Sequence, residues 1–329
     1  MSDHLAAEYA IRRPQPSDAP AVHALIVASD IAEFGESSGY GLQELEDEWA
    51  RADLAQDAWV AVAQGGDLAG YGYLQHQRYV RIDVEIYVHP AHFERGIGTT
   101  LVHHAEARAS ELVPLAPPEA RVVLQNWINA RNGDACALLE REGYRPVRYF
   151  QRMEIALADE PEAPAWPEEI TVRGAVPDED LRPFYETSEE AMADHWGHVG
   201  AAFEDWRKQH VGQHFDPGLW FLALDGDEPA GVALCAVSDG IGWIDTLAVR
   251  RPWRRRGLGA ALLRHAFAEF HRRGLPRAGL GVDSASPSGA TALYERAGMR
   301  ATQHYATYGK ELRPGVDLPK VDEGDGVMG

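Results

Sequence analysis

The chain contains 329 residues, of which 45% are hydrophobic, and its 31 basic and 51 acidic side chains give a formal net charge of −20. A chain of this length and apolar content can form two domains of ordinary size. Its acidity argues against general nucleic-acid binding, which depends mainly on neutralising phosphates, and favours a cationic partner such as an amine.

Cysteine usage and hydropathy narrow the class of protein further. The two cysteines, Cys136 and Cys235, form no CxxC pair, and no apolar stretch approaches the length of a membrane span. We therefore expect no disulfide framework, no metal site and no membrane partner. The start of the sequence lacks the apolar core of a signal peptide, which predicts a cytoplasmic protein.

The two halves of the sequence repeat one order of predicted elements. YAIRRPQPSDAPAVHAL in the first half corresponds to ITVRGAVPDEDLRPFYE in the second, and each is an alternating strand followed by a helical run. Trp59 and Trp220 begin matching strand pairs, and Gly96 and Gly257 lie in matching glycine turns, with both pairs 161 residues apart. This period is too long for a solenoid and indicates two copies of one domain.

An acidic, proline-rich segment, ADEPEAPAWPEE, separates the copies and predicts an extended linker. The predicted domains are residues 1–157 and 170–314, joined by the linker 158–169 and followed by a polar tail, 315–329, that we expect to fray. In each copy the order of elements predicts an α/β (α+β) domain. Its sheet should be mixed, mostly antiparallel and flanked by helices, with a central strand pair bridged by the helix after the glycine turn.

The glycine turn of the second copy predicts a phosphate site. Ile241–Val249 is a predicted strand, residues 254–259 form an arginine-rich turn, and an amphipathic helix follows. Free N–H groups at the helix start, the positive end of its dipole and nearby glycines suit a phosphate-bearing ligand. Leu262 stands where a Rossmann GxGxxG has its third glycine, and a P-loop Gly-Lys-Ser/Thr is missing, so both of those sites are excluded.

Arg254-x-x-Gly257-x-Gly259 after LAV, with the later ALYERAGM, resembles the pyrophosphate loop and following helix of the GNAT superfamily of acyl-CoA-dependent N-acyltransferases. The resemblance extends over nearly the whole chain because the pattern occurs twice. It implies that backbone groups of the LAV strand pair with the pantetheine arm of acetyl-CoA and that N–H groups of the turn hold the pyrophosphate. The cofactor residues it implies are Leu247, Ala248, Val249, Arg254, Arg255, Arg256, Gly257, Leu258, Gly259, Ala260 and Ser286.

The resemblance also implies the chemistry, in which an uncharged amine attacks an acyl thioester and CoA thiolate departs. Tyr294 in ALYER corresponds to the family's tyrosine that protonates or hydrogen-bonds the sulfur; packing on the sheet is its alternative role. Asp245 could act as the base from the cleft between the parted strands, where burial would raise its pKa, or it could simply bind a neighbouring N–H or arginine. Asp283 is the next carboxylate, with a role in turning the chain preferred, and some family members use only a water chain.

Two residues are predicted to contact the acceptor, His195 and Glu36. His195 lies in MADHWGH, where the family's variable helices cover the acceptor, and with Asp194 and His198 it could bind or deprotonate an amine; packing along a helix edge is the alternative. Glu36, with Glu33, belongs to an acidic segment that could extend over the acceptor pocket or be ordinary surface charge.

A metal site is not predicted from the nearby histidines. His210 and His214 could meet on one helix face, but no third ligand follows at an informative spacing.

The first copy is predicted to be non-catalytic. Phe93 and Glu94 stand where the second copy has Arg254 and Arg255, and Leu139 replaces Tyr294. The first copy keeps its glycines, so a second acyl-CoA site is expected at Val88, Arg95, Gly96, Ile97, Gly98 and Thr99.

The sequence therefore predicts an acetyl-CoA-dependent N-acetyltransferase that acetylates a primary amine of a small molecule in its C-terminal copy, as a monomer or homodimer without nucleic-acid or membrane partners. Two fused copies with an intact second site are similar to the mycothiol synthase type within the superfamily, although Ser286-Pro287-Ser288 stands where such proteins usually show an asparagine. A protein or peptide N-acetyltransferase and a non-catalytic acyl-CoA-binding regulator remain the alternatives.

Overall fold

A computed structural model describes residues 5–37, 40–212, 215–238, 240–286 and 289–318. His214 and residues 319–329 of the predicted tail lie outside this part of the chain. The described chain forms two compact units. Unit 1 contains the residues up to Tyr149 together with His304–Leu318, and unit 2 contains Phe150–Gln303.

Unit 1 is a mixed sheet covered by helices. Its strands are β1 (Tyr9–Arg12), β2 (Ala58–Ala63), β3 (Leu68–Gln77), β4 (Arg81–Val88), β5 (Val122–Asn129), the first part of β6 (Arg145–Ala156) and most of β12 (Arg300–Arg313). Its helices are α1 (Ala19–Phe34), α2 (Leu42–Arg51), α3 (Leu54–Asp57), α4 (Ile97–Leu112) and α5 (Gly133–Arg141). Strands β1 to β4 pair antiparallel in sequence order, and β4 pairs parallel with β5.

Unit 2 repeats this arrangement. Its strands are the remainder of β6, β7 (Ile170–Gly174), β8 (Trp220–Asp225), β9 (Glu228–Ser238), β10 (Ile241–Val249), β11 (Arg277–Asp283) and the start of β12 (Arg300–Arg313). Its helices are α6 (Leu181–Met192), α7 (Phe203–His210), α8 (Leu258–Arg272) and α9 (Ala290–Arg296). Strands β7 to β10 pair antiparallel in order, and β10 pairs parallel with β11.

The predicted fold class is confirmed in both units. Each sheet is antiparallel except for one central parallel pair, which is bridged by the helix that follows the glycine turn, α4 in unit 1 and α8 in unit 2. Within the described residues, no helix combines the length and apolar character needed to cross a membrane.

The last strand of each sheet comes from the other half of the sequence. In unit 1, Tyr305–Arg313 of β12 pairs antiparallel with β5, and in unit 2, Phe150–Ala156 of β6 pairs antiparallel with β11. The sequence repeat does not show this exchange, because both terminal strands occupy the same place in the element order. The boundaries at residues 157 and 170 stay a prediction about the repeat, whereas the compact units divide the chain elsewhere.

The core of unit 2 forms where α8 packs on the sheet. The apolar residues spaced four apart along this amphipathic helix are all buried, namely Leu258, Leu262, Ala266 and Phe270. Gly242 on β10 allows this contact, because a Cβ at that position would lie 2.5 Å from the Phe270 ring. This packing fixes the start of α8 relative to the end of β10, where the glycine turn lies.

Candidate active site

A cleft opens in unit 2 where the two parallel strands part. β10 and β11 pair only from Ile241 and Arg277 to Trp243 and Gly279. Beyond that point β11 stays paired with β6 as far as Asp283, and β10 stays paired with β9, with an irregular register between Ile244 and Thr246. The second half of β10, which carries the predicted pantetheine contacts, therefore has backbone groups facing the opening.

The glycine turn beside this cleft presents unused backbone donors. Arg255 has φ +62° and Gly257 has φ +89°, and α8 begins at Leu258. The first backbone bond into the helix runs from Ala261 N–H to the Gly257 carbonyl at 3.1 Å. Among the described residues, no acceptor engages the N–H groups of residues 255–260. Such a row of N–H groups at the positive end of a helix is suited to an anion.

The three arginines of the turn have different roles. The Nε of Arg254 donates to the Val249 carbonyl at 3.0 Å, and its Nη1 lies 3.2 Å from Asp194 Oδ2. Arg255 and Arg256 are exposed. Arg254 therefore holds the turn against the end of β10, whereas Arg255 is at the surface and Arg256 Nη1 lies 4.0 Å from Asp225 Oδ2.

Asp194 binds arginines of the glycine-turn region rather than an acceptor. Hydrogen bonds from Arg251, at 2.6 Å, and from Arg254 hold its pKa below the usual range. A carboxylate that is stabilised in its charged form is a poor proton acceptor. The predicted participation of Asp194 in amine deprotonation is therefore not supported by its contacts.

Tyr294 lies in the core of unit 2 beside the cleft. Only 8% of the residue is exposed, and it belongs to the same core cluster as Leu258 and Val282, against which Leu247 and Val249 pack. Burial raises the pKa of Tyr294 to about 12. No hydrogen bond from its hydroxyl occurs within the described residues. The phenol therefore stays protonated near neutral pH and has a proton to donate.

The two candidate carboxylates differ in exposure. Asp245 lies at the irregular position of β10 and is exposed, so the burial that we expected to raise its pKa is not present. Asp283 is buried, and its Oδ1 accepts a hydrogen bond from Ala285 N–H at 2.9 Å, which fits the expected role in turning the chain. Ser286 follows in this turn, and its N–H donates to the Asp283 carbonyl at 3.0 Å.

His195 lies close enough to Asp283 for their charges to interact. Burial lowers the pKa of His195, and the charge of Asp283 partly opposes this effect. The imidazole is therefore neutral at pH 7 and can accept a proton. His198 is engaged differently, since its Nε2 lies 3.2 Å from Glu189 Oε2. Trp196 packs near Phe150, with ring centroids 6.3 Å apart, so the helix-edge packing also occurs.

The glycine turn of unit 1 has the same backbone conformation. Glu94 has φ +62° and Gly96 has φ +77°, and no acceptor among the described residues engages the N–H groups of residues 94–99. Gly98 lies against Leu138 as Gly259 lies against Leu293, which confirms that Leu139 occupies the position of Tyr294. Arg95 is exposed, whereas Ile97 and Thr99 are buried, and Val88 ends β4.

The predicted acidic contacts of unit 1 lie at the end of α1. Glu33 Oε1 accepts a hydrogen bond from Asn132 Nδ2 at 2.7 Å, and burial raises the pKa of Glu33. Glu36 is exposed just beyond the helix. Neither residue belongs to unit 2, so their predicted role at its acceptor pocket stays a prediction.

Comparison with known proteins identifies the family. A model of the acetyltransferase (GNAT) family matches residues 176–299, and a model of the acetyltransferase (GNAT) domain matches residues 55–146. The crystal structure of a GCN5-related N-acetyltransferase from Sphaerobacter thermophilus is 40% identical, covers 97% of this chain and 100% of that chain, and has a TM-score of 0.85. The chain belongs to the GNAT family of N-acetyltransferases.

Curated relatives of this GNAT protein are mycothiol acetyltransferases. The one from Streptomyces scabiei is 31% identical over 239 residues, which is 71% of this chain and 74% of the relative. The one from Catenulispora acidiphila is 28% identical over 306 residues, which is 88% of this chain and 94% of the relative. A tandem GNAT protein from the clavulanic acid biosynthesis pathway, 18% identical, covers 94% of this chain and 100% of its own with a TM-score of 0.69, and shows that the fold recurs.

Sequence reasoning missed two relations in this GNAT protein. It did not predict the charge interaction between Asp283 and His195, because no sequence spacing relates a strand end to a loop far earlier in the chain. It also overlooked Glu48 and Glu85 in unit 1, whose charges interact. An acidic residue at a buried-strand position, as in RIDVEIYV, was the available signal.

Proposed function

We propose that unit 2 transfers the acetyl group of acetyl-CoA to a primary amine of a small molecule by direct attack. The observation that carries the proposal is Tyr294, a buried phenol with an unused hydroxyl beside the parted strands, in the same unit as a preformed turn of free N–H groups. Unit 1 has the turn without the phenol, because Leu139 replaces it.

The geometry suggests where acetyl-CoA would bind. The N–H groups of residues 255–260 would hold the pyrophosphate, with the exposed guanidinium groups of Arg255 and Arg256 adding positive charge. The pantetheine amides would pair with backbone groups of Leu247 and Val249, because β10 has lost its β11 partner there. This orientation would direct the thioester toward the interior of the cleft.

His195 is our choice for the general base. Its pKa is lowered by burial, so the neutral imidazole is available at pH 7, and the charge of Asp283 would stabilise the imidazolium that forms. The amine nitrogen attacks the thioester carbonyl carbon, the amine proton passes to the imidazole, and the carbon–sulfur bond breaks. Tyr294 donates a hydrogen bond or its proton to the departing thiolate, which lowers the cost of its negative charge.

The acceptor is proposed from the relatives. Because several curated relatives are mycothiol acetyltransferases, the free amine of the mycothiol precursor is the first acceptor to test. The net charge of −20 agrees with a cationic amine in general.

The test is release of free CoA thiol from acetyl-CoA in the presence of this precursor, of other small amines and of peptides with free amino groups. We expect turnover with small amines. Turnover confined to peptides would favour the protein-modifying alternative. CoA binding with no turnover on any acceptor would favour the regulator and contradict the proposal.

Tyr294→Phe should reduce kcat by roughly tenfold or more while the Kd for acetyl-CoA stays within about twofold, because the hydroxyl acts on the departing sulfur. Tyr144→Phe, which removes a buried hydroxyl from unit 1, is the matched control and should retain kcat. An unchanged kcat in Tyr294→Phe would remove the tyrosine from the mechanism.

A further inference from the structure

A cluster of carboxylates and arginines joins the end of α6 to the glycine turn of unit 2. Glu190 Oε2 accepts a hydrogen bond from Arg250 Nε at 2.6 Å, and Glu190 Oε1 accepts one from the N–H of Arg251 at 3.2 Å. Asp194, just beyond the helix, accepts hydrogen bonds from Arg251 Nη2 at 2.6 Å and from Arg254 Nη1 at 3.2 Å. These five residues form the carboxylate–arginine cluster.

Arg254 contacts protein groups through all three of its nitrogens. Besides the bond from Nη1 to Asp194, Nε donates to the Val249 carbonyl at 3.0 Å and Nη2 donates to the Ala191 carbonyl at 3.4 Å. Ala191 lies in the last turn of α6, where carbonyls lack helical partners and the helix dipole is negative, so a guanidinium group stabilises this end. Arg254 therefore connects the end of α6 with the end of β10.

His195 follows the cluster directly in the chain. The N–H of His195 donates to the Met192 carbonyl at 2.8 Å, and the N–H of His198 donates to the His195 carbonyl at 3.3 Å. At its other end the segment is held by His198, whose Nε2 lies 3.2 Å from Glu189 Oε2. The His195 segment, residues 194–198, is therefore tied to the turn at its start and to α6 at its end.

Unit 1 keeps the turn without the arginines of the cluster. With the 161-residue spacing of the two glycine turns, Pro90 and Phe93 stand at the positions of Arg251 and Arg254. Neither side chain has an N–H group to donate to a carboxylate. The backbone conformation of the turn is nevertheless the same in both units. The turn therefore forms without these arginines, and their contacts with Asp194 need another explanation.

We propose that Asp194 is a positioning residue that fixes the His195 segment through Arg251 and Arg254. Arg254 acts on this segment rather than on the pyrophosphate of acetyl-CoA. This inference rests on the proposed function, in which His195 accepts the proton of the attacking amine. A base must be held within hydrogen-bond reach of the proton that it removes, so a segment that moves freely would lower kcat.

The charges around His195 allow positioning to be separated from a direct charge effect. Burial lowers the pKa of His195, the charges of Asp283 and Asp194 raise it, and those of His198 and Arg254 lower it. Removing only the charge of Asp194 should therefore lower this pKa further. Releasing the segment into water should instead raise it toward the ordinary value of about 6.5. The two explanations predict opposite signs.

The first test is an NMR titration of the His195 imidazole in the full chain, with the signal assigned by its loss in His195→Gln. We expect Asp194→Ala to raise the pKa of His195, because the segment loses its attachment to the turn. Glu162→Ala removes a carboxylate that lies 2.8 Å from Arg264 elsewhere in unit 2 and should leave this pKa unchanged. The titration needs no turnover, so it can be carried out even if no acceptor is acetylated.

The second test is kinetic. Asp194→Ala and Arg254→Met should each lower kcat about tenfold while the Kd for acetyl-CoA stays within about twofold. Their double variant should be no slower than about the slower single variant, since both changes break the same connection. Asp194→Glu, which keeps the charge, should recover part of the lost kcat. Glu162→Ala should retain kcat.

Three results would overturn the proposal. They are a pKa of His195 that stays the same or falls in Asp194→Ala, an unchanged kcat in both single variants, and a raised Kd for acetyl-CoA with unchanged kcat in Arg254→Met. Absence of turnover in the natural protein with every acceptor would contradict the proposed function, whereas the NMR titration would still decide whether Asp194 positions His195. Circular dichroism of each variant would establish that folded proteins are compared.

Discussion

At the scale of single residues, the two units carry different side chains at positions where their backbone conformations are the same. Arg255 and Glu94 share φ +62° in equivalent turns, so the same rare conformation carries opposite charges. Tyr294 and Leu139 are both buried at equivalent positions of the helix that follows the last parallel strand. The two units therefore differ in the side chains that would bind or act on a ligand, whereas the turn that suits a phosphate is present in both.

The pH dependence of catalysis should report His195. Because burial lowers its pKa below the ordinary value of about 6.5, kcat/KM should rise with an inflection below that pH as the neutral form appears. His195→Gln should remove this inflection and lower the plateau about 10²-fold, measured with the same amine so that the acceptor's own ionisation contributes equally. His198→Gln should keep the inflection. If the inflection persisted in His195→Gln, His195 would not be the base and Asp245 would become the candidate.

The pH dependence of the protein's stability should reflect the ionisation of Glu85. Its pKa is raised to about 7 in the folded state, so the stability that it contributes is full below its unfolded pKa of about 4.3 and is lost as the pH rises through 7. Glu85→Gln should therefore gain Tm relative to the natural protein between pH 5 and pH 8, measured by differential scanning calorimetry. Asp67→Asn should show no such trend. An equal Tm difference at both pH values would contradict the expected ionisation.

At the scale of elements, the strand, turn and helix act as one piece. The end of β10, the turn and α8 are fixed together by the packing of Phe270 over Gly242 and by Arg254 on the Val249 carbonyl. The donors are therefore in place before any ligand arrives, which reduces the entropy lost on binding.

A carboxylate placed in each turn would show which unit is catalytic. Gly257 has φ +89° and Gly96 has φ +77°, so glutamate is strained at both positions and would also repel a phosphate. We expect Gly257→Glu to abolish activity and Gly96→Glu to spare most of it, as measured by kcat/KM for acetyl-CoA with thermal unfolding as the check on folding. Loss of activity in Gly96→Glu alone would place the catalytic site in unit 1.

At the scale of the whole molecule, the exchanged strands make each unit depend on both halves of the sequence. In unit 1, Lys310 of β12 donates to Glu106 at 2.7 Å and to the Glu142 carbonyl at 2.8 Å, and its ammonium lies 5.3 Å from the Tyr144 ring centroid. These contacts fix the register of the exchanged strand in a partly buried place. Neither half of the sequence alone supplies all the strands of either unit.

Crosslinking can test the exchange directly. Val123 of β5 lies opposite Glu311 of β12, so cysteines at these two positions, with Cys136 and Cys235 replaced, should be joined efficiently by a short thiol-specific reagent. The control pair is Val123→Cys with Ala156→Cys, the repeat-equivalent position on β6, and it should not crosslink. Mass spectrometry distinguishes the two. Efficient joining of the control pair would show that β5 pairs with its own copy's strand.

Much of the fold could be predicted because local patterns were strong. The glycine turns, the apolar face of α8 and the parallel strand pair followed from spacing and periodicity, which depend on neighbouring residues. The expected burial of Asp245 was wrong because its exposure depends on the irregular register of β10, to which the sequence gives no local signal. The charge interaction between His195 and Asp283 depends on how separate elements pack.

The sequence by itself determined the duplicated element order, the two turns and which copy has Arg254, Arg255 and Tyr294, because these are properties of residue identity and short-range periodicity. Only the tertiary structure decided which terminal strand completes each sheet, which carboxylates are buried and that Glu48 meets Glu85. Those outcomes depend on pairing between distant strands and on removal of charges from water, and both are set by the packed chain as a whole.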